Sequence, residues 1–339
     1  MQTIYVEKKS RLLWRPGKVI AHHWPGFVWT PLSPARVATL PDPPLPGPNW
    51  LRVHNRICGI CASDLSLLFI HVDPSVAPVA LPGNQRLYLG HEVVSVVTEA
   101  GSGVTRFKVG DRVLMDTRFA GANCCSLGIS PPCRQCALHE EHFCENKSAP
   151  GPRGMGGGFG DSYTAHESEV YPCPPDIDDD QAALVEPISC AVRSTLRCLP
   201  KPGGRVLVIG AGIIGLSQIM AARAFQPDCR ITAMARYPHQ AEMAKRLGAN
   251  DVLAEREGYE GIARLTGGKF YSAPMNKGIV IGGFDVIYDC VGNSQTIEDS
   301  LRWTRAGGTV VIVGINLSPV HVDLTPTWYH HVNLIGTYG

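Results

Sequence analysis

Cys133, Cys136 and Cys144 stand in a C-x2-C-x7-C pattern, with Cys124 and Cys125 shortly before it. Thiolates are soft ligands, and four within one loop fit a closed tetrahedral zinc site. Only one of the adjacent pair is needed, so the fourth ligand is Cys124 or Cys125, with Cys125 slightly preferred. A second set is dispersed through Gly59-Ile60-Cys61-Ala62-Ser63-Asp64, Gly90-His91-Glu92 and Glu186-Pro187. Each has an ordinary explanation alone: a core cysteine, a hydrogen-bonding histidine, a helix start. Together Cys61, His91 and Glu186 supply one thiolate, one imidazole and one carboxylate, the three-ligand set of a zinc with an open position for chemistry.

A third motif points to a dinucleotide. Val206 to Ile209 form a buried-strand run that leads into Gly210-Ala211-Gly212-Ile213-Ile214-Gly215, a G-x-G-x-x-G turn followed by a helical pattern. Gly210 permits the tight turn, Gly212 lets backbone approach a pyrophosphate, and Gly215 lets the helix pack close to the strand. At the tip of the next strand, a carboxylate would bind the adenosine ribose hydroxyls and repel an added phosphate. Ala235 stands there instead, followed by Arg236, so NADP is expected in preference to NAD.

The elements that must position these groups change character near residue 185. Before it, short β-like runs (52–56, 92–99, 112–116) alternate with turn-rich stretches such as LPDPPLPGPNW and APGPRGMGGGFGD. After it, helices over 187–199, 213–224 and 240–247 alternate with strands over 205–209, 230–233, 285–288, 309–313 and 332–336. That alternation predicts a parallel sheet with helices on both faces. Two domains suit a chain of 339 residues, and 44% hydrophobic with 18% charged residues excludes overall disorder. A formal charge of +1 spread over 31 basic and 30 acidic residues argues against nucleic acid or anionic lipid as partners. The longest apolar runs fall far below the roughly 20 residues of a membrane span, and MQTIYVEKKSR lacks a signal core. A cytoplasmic location is expected, and clustering of cysteines in a reducing compartment reads as metal binding.

GICASD, LGHE, the cysteine lobe, VEP and GAGIIG, in this order, resemble the zinc-dependent medium-chain dehydrogenase/reductases across essentially the whole chain. FKVGDRV (Phe107 to Val113), DCVG (Asp289 to Gly292) and RAGGTVVIVG (Arg305 to Gly314) support the match. The Glu-Pro motif is similar to the polyol and threonine dehydrogenase branch. The resemblance implies an α/β protein with a GroES-like, mostly-β catalytic domain over 1–185 and a Rossmann doubly wound domain over 186–339. It implies catalytic zinc on Cys61, His91 and Glu186, with Glu92 close behind or exchanging, and structural zinc on the cysteine lobe. Ser63 would take the alcohol proton and Asp64 would orient the imidazole. Ile213, Ile214, Val291, Gly292 and Gly314 would face the cofactor beside the three glycines. The implied reaction is hydride transfer between NAD(P) and a secondary alcohol, polyol or sugar, the zinc activating the oxygen. The substrate is expected between the domains, with the loop Leu67 to Tyr88 among its walls, and dimers or tetramers are usual for such proteins.

Three departures qualify the expectation. Ser130 replaces the first cysteine of the usual lobe, so a ligand must come from the Cys124-Cys125 pair. Ser66 stands where many alcohol dehydrogenases carry a proton-relaying His. The run Asn333 to Gly339 resembles a sheet strand that normally continues back to the catalytic domain, so a truncated chain is expected. The competing readings are a non-catalytic relative that binds zinc and dinucleotide without turnover, and a zinc-free quinone or enone reductase.

Overall fold

The computed structural model describes residues 1–8, 11–73, 85–116 and 122–338. The chain divides into two compact units, Met1–Glu186 and Pro187–Gly339. Residues 74–84, within the expected pocket loop, lie outside the described residues, as does Gly339 at the end of the expected final strand.

In the first unit the strands are β1 (Gln2–Glu7), β2 (Ala35–Thr39), β3 (Trp50–Cys58), β4 (Arg86–Tyr88), β5 (Val93–Ala100), β6 (Arg112–Met115), β7 (Ser162–His166) and β8 (Val170–Pro172). Five form an antiparallel sheet in the order β7-β3-β5-β6-β8, and β2-β1-β4 form a smaller one. Alternation writes the faces: Leu51 and Val53 of β3 are buried while Arg52 and His54, which alternate with them, are not. With Val93, Val97, Val113, Tyr163 and Val170 they make this unit's core.

The second unit holds β9 (Arg205–Ile209), β10 (Arg230–Ala235), β11 (Asp251–Ala254), β12 (Lys269–Ala273), β13 (Asn276–Ile281), β14 (Phe284–Asp289), β15 (Thr304–Ile312) and β16 (Asn333–Gly336). Six of these pair in parallel in the order β11-β10-β9-β14-β15-β16. This is the doubly wound order 3-2-1-4-5-6, whose direction reverses between β9 and β14. Helices such as Ile213–Phe225 and Ser294–Trp303 connect the strands. Val206, Val208 and Tyr288 enter one core layer, and Leu207, Ile209 and Ile287 another, so both faces of the sheet are covered.

Two elements differ from the sequence expectation. Helix Arg11–His23 contains Pro16 and Gly17, which oppose helix by propensity. Packing prevails: Trp14 is buried, and Gly17 lies so close to Phe27 and Ile70 that a Cβ would come within 3.3 and 3.4 Å of their rings and methyls. The hairpin β12–β13, joined by a turn with Met275 at φ +60°, interrupts the βα alternation with an antiparallel excursion. Its first strand, Lys269–Ala273, is largely exposed and lacks the apolar run that marks the strands of the parallel sheet.

Gly215 tests the packing of the glycine turn, because a Cβ there would meet the carbonyl oxygen of Gly210 at 1.7 Å. Gly215→Ala should lower unfolding free energy by about 1–3 kcal/mol, measured by denaturant titration. Gly212→Ala, whose Cβ meets nothing within 4 Å, should leave that value nearly unchanged while weakening dinucleotide binding.

Candidate metal and dinucleotide sites

Register closes the distance between the dispersed ligands. β3 pairs antiparallel with β5 so that Cys58 lies opposite Val93. The residues just after β3 and just before β5 therefore meet at one end of the sheet. The Gly59 amide donates to the Glu92 carbonyl at 2.8 Å and locks the two loops together. Cys61 then begins the short helix Ala62–Leu68, which aims Ser63 and Asp64 back toward the same point.

Ligand atoms of Cys61, His91 and Glu92 lie within 4.8 Å of one another. Asp64, 2% exposed, organises them. Its Oδ1 accepts from the Gly90 amide at 2.9 Å and sits 3.3 Å from His91 Nδ1, and its Oδ2 accepts from the Cys61 amide at 3.4 Å. The Ser63 hydroxyl donates to Cys61 Sγ at 3.2 Å. Glu186 lies outside this mutual cluster, and the carboxylate within it is that of Glu92, which was expected close behind or exchanging. Glu186 begins the helix Val185–Arg197, a separate element, whereas Glu92 is fixed directly by β5.

The electrostatics suit a cation. Burial alone would lower the His91 pKa, but hydrogen bonds with Asp64 and Cys61 outweigh it and hold the imidazole at about 11. Burial, and next the charge of Glu186, raise the Glu92 carboxyl. Burial with the charges of Asp64 and Glu92 pushes the neighbouring Cys58 thiol up to about 12. A place that favours an imidazolium and disfavours further anions has negative potential, and the thiolate–imidazole–carboxylate donors match a divalent zinc.

The cysteine lobe settles the choice left open by spacing. Sulfurs of Cys124, Cys133, Cys136 and Cys144 all lie within 4.8 Å of one another. Cys125 is exposed and outside the group, so the preference for it is corrected to Cys124, which is buried. The backbone explains the selection: Asn123, Ser126 and Leu127 form a tight hydrogen-bonded turn that turns Cys124 inward. Cys124 Sγ also accepts from the Cys133 amide at 3.3 Å and from Asn146 at 3.4 Å. The Cys124–Cys144 and Cys133–Cys144 sulfur separations are 3.8 and 4.0 Å. A tetrahedron with ~2.3 Å zinc–sulfur bonds has edges of ~3.8 Å. Amides of Cys136 and Glu145 draw the Cys133 thiol down to about 6, while burial pushes Cys136 and Cys144 up. Four such sulfurs ionise together only around a cation.

In the second unit the glycine turn and the loop after β14 flank the strand-order reversal. Gly210 adopts φ +86° and its Cβ would strike Val291. Gly212 opens the helix Ile213–Phe225 onto empty space, the room a phosphate requires. Buried Asp289 accepts from the amides of Val291 and Gly292 and from Thr296, fixing the second loop. Gly292 in turn packs against Gly314. Ile213 and Val291 remain exposed at 49% and 40%, apolar side chains presented at the sheet's carboxyl edge. Ala235 is buried and Arg236 exposed beyond it.

Sequence reading named only part of the walls beside the metal cluster. A cavity of about 130 Å³ touches Ser63 and His91 and is lined by Leu67, Arg86, Tyr88 and Asp116. Leu67 and Tyr88 bound the loop that was expected to contribute, but nothing in the local pattern marked Asp116.

Residues 47–175 match the model of the alcohol dehydrogenase GroES-like domain, and residues 212–339 that of the zinc-binding dehydrogenases. (R,R)-butanediol dehydrogenase of Saccharomyces cerevisiae is 30% identical over 292 residues, covering 81% of this chain and 72% of its own length. L-idonate 5-dehydrogenase of Vitis vinifera is 27% identical, with coverages of 86% and 74%. A zinc-binding dehydrogenase of Sinorhizobium meliloti, solved bound to NADP, superposes with a TM-score of 0.67 at 27% identity, covering 90% of this chain and 80% of its own.

Two outcomes follow. Cys124→Ser should remove one zinc per chain by elemental analysis, whereas Cys125→Ser should retain it. At Gly59 a Cβ would stand 2.2 Å from Glu92 Oε2, so Gly59→Ala should deplete the Cys61 site by roughly tenfold in metal affinity and leave the cysteine lobe loaded.

Proposed function

We propose a function from the premise that this chain belongs to the zinc-dependent medium-chain dehydrogenase/reductases: it transfers hydride between a nicotinamide dinucleotide and a secondary alcohol, polyol or sugar and its carbonyl. The observation that carries this reading is the convergence of Cys61, His91 and Glu92 beside the Ser63 hydroxyl. The catalytic zinc would be held by these three residues, with Glu186 near enough to act on Glu92, and a second zinc by Cys124, Cys133, Cys136 and Cys144. When bound, the catalytic zinc supplies Lewis acidity toward the substrate oxygen, and the nicotinamide gives or accepts hydride.

The chain's own residues prepare and complete that chemistry. Asp64 holds the His91 ring and the Cys61 backbone at once, so neither ligand needs to reorganise during turnover. Ser63 Oγ, which spends its proton on Cys61 Sγ here, can rotate to the substrate oxygen once the sulfur's charge is engaged by a cation. In oxidation it accepts the alcohol proton as it gives its own hydroxyl proton to solvent in the cavity that Ser63 lines, and in reduction both transfers run in reverse. Leu67, which is buried, and Tyr88 line the cavity beside Ser63 and His91 and would bound the substrate's carbon side.

The preferred cofactor is NADP. Arg236 lies exposed at the tip of β10 after a buried Ala235, supporting a 2′-phosphate where a carboxylate would repel one. The S. meliloti relative bound to NADP supports the same choice. Twelve free cysteines support a reducing compartment, the cytoplasm.

The test is a screen of secondary alcohols, polyols and their ketones with NADPH and NADH, on zinc-loaded protein. Zinc-dependent turnover that Ser63→Ala cuts by about 10²–10⁴ in kcat, with zinc content unchanged, is the expected result. Arg236→Ala should raise KM for NADPH by roughly 10- to 100-fold and leave that for NADH nearly unchanged. Turnover indifferent to zinc removal would overturn the reading.

A further inference from the structure

The formal charge of +1 conceals an uneven distribution. From Lys8 to Pro41 the sequence holds six Lys and Arg and no Asp or Glu, so the rest of the chain is net negative. This stretch supplies the helix Arg11–His23, the 3-10 turn Pro25–Trp29 and the strand β2. One helix face turns inward through Trp14, Gly17 and Ala21. The other exposes Val19 and Ile20 beside Arg15, His22 and His23, with Lys18 half-buried. Past the helix, Trp24 and Trp29 are 56% and 59% exposed, and Leu32 and Val37 more so.

Exposed tryptophans and aliphatic side chains this dense along one short segment exceed the singly scattered apolar residues of an ordinary surface and point to an interaction. We propose that this segment docks peripherally on an anionic lipid surface. Trp24, Trp29, Val19 and Ile20 would enter the headgroup layer, and Arg15 and Lys18 would meet the lipid phosphates. Tryptophan prefers that layer because its ring is apolar and its N–H polar. Within the segment from Lys8 to Pro41 no carboxylate offsets the exposed Arg15, and each cation near an anionic surface adds attraction. A second copy of this chain fits less well, since a two-fold contact of this segment with itself would set the same cations against one another. So few inserted side chains give weak, reversible, salt-sensitive attachment rather than anchoring. The docking does not depend on the dehydrogenase reading.

The experiment is sedimentation of the full chain with vesicles of phosphatidylcholine, and with vesicles of phosphatidylcholine and phosphatidylglycerol in equal parts. Co-sedimentation with the anionic vesicles alone, released at about 0.5 M salt where screening is nearly complete, is expected. Trp24→Ala/Trp29→Ala and Arg15→Glu/Lys18→Glu should each lower the bound fraction by roughly tenfold, with circular dichroism and zinc content unchanged. Protein left in the supernatant with anionic vesicles overturns the proposal, as does equal binding to both vesicles at high salt. So does a dimer that the tryptophan pair dissociates, or capture by polyglutamate, without vesicle binding. Those last results would reassign the surface to a second copy or to an acidic protein.

Discussion

Asp64 carries a buried carboxylate whose two oxygens face three separate pieces of backbone and side chain: the Cys61 amide, the Gly90 amide and the His91 ring. A charge that deep is costly unless fully hydrogen-bonded, and here satisfying it requires the helix Ala62–Leu68 and the loop before β5 to be in place together. The pairing of β3 with β5 brings the two loops near, and Asp64 ties them to each other. Everything proposed for the metal cluster depends on that arrangement, because Cys61, Ser63 and His91 inherit their positions from it.

The same economy of constraint recurs elsewhere in smaller form. Asp289 is buried beneath the loop after β14 and satisfies two consecutive amides and a threonine hydroxyl, which holds Val291 and Gly292 opposite the glycine turn. In the cysteine lobe the tight turn around Asn123 decides which of two adjacent thiols faces inward. In each case one or two polar side chains, buried and satisfied, convert a flexible connection into a defined site.

Glycines complete the sites by absence. At Gly59, Gly90 and Gly215 the neighbouring atoms already occupy the space a side chain would take, whereas at Gly212 the space is empty. The distinction separates packing from binding: the first three keep parts of the protein together, and the fourth leaves room for something that is not protein. Within the G-x-G-x-x-G turn the distances agree with the separate roles that the pattern assigns to Gly212 and Gly215.

Much of this protein could be read without coordinates. The βα alternation after residue 185 predicts the parallel sheet because apolar runs of strand and helix period are local properties, and strands such as Arg205–Ile209 fall where expected. The donor types at Cys61, His91 and the cysteine lobe were equally plain, since chemistry is written in residue identity. What only the tertiary structure decided was choice among equivalent candidates: Cys124 over Cys125, Glu92 over Glu186 in the mutual cluster, and helix at Arg11–His23 in spite of Pro16. Each turns on a direction or a distance fixed by long-range pairing and packing. Neighbours in sequence share a position along the chain, but of two adjacent thiols one is buried and one exposed, and of two carboxylates far apart in the chain one joins the cluster.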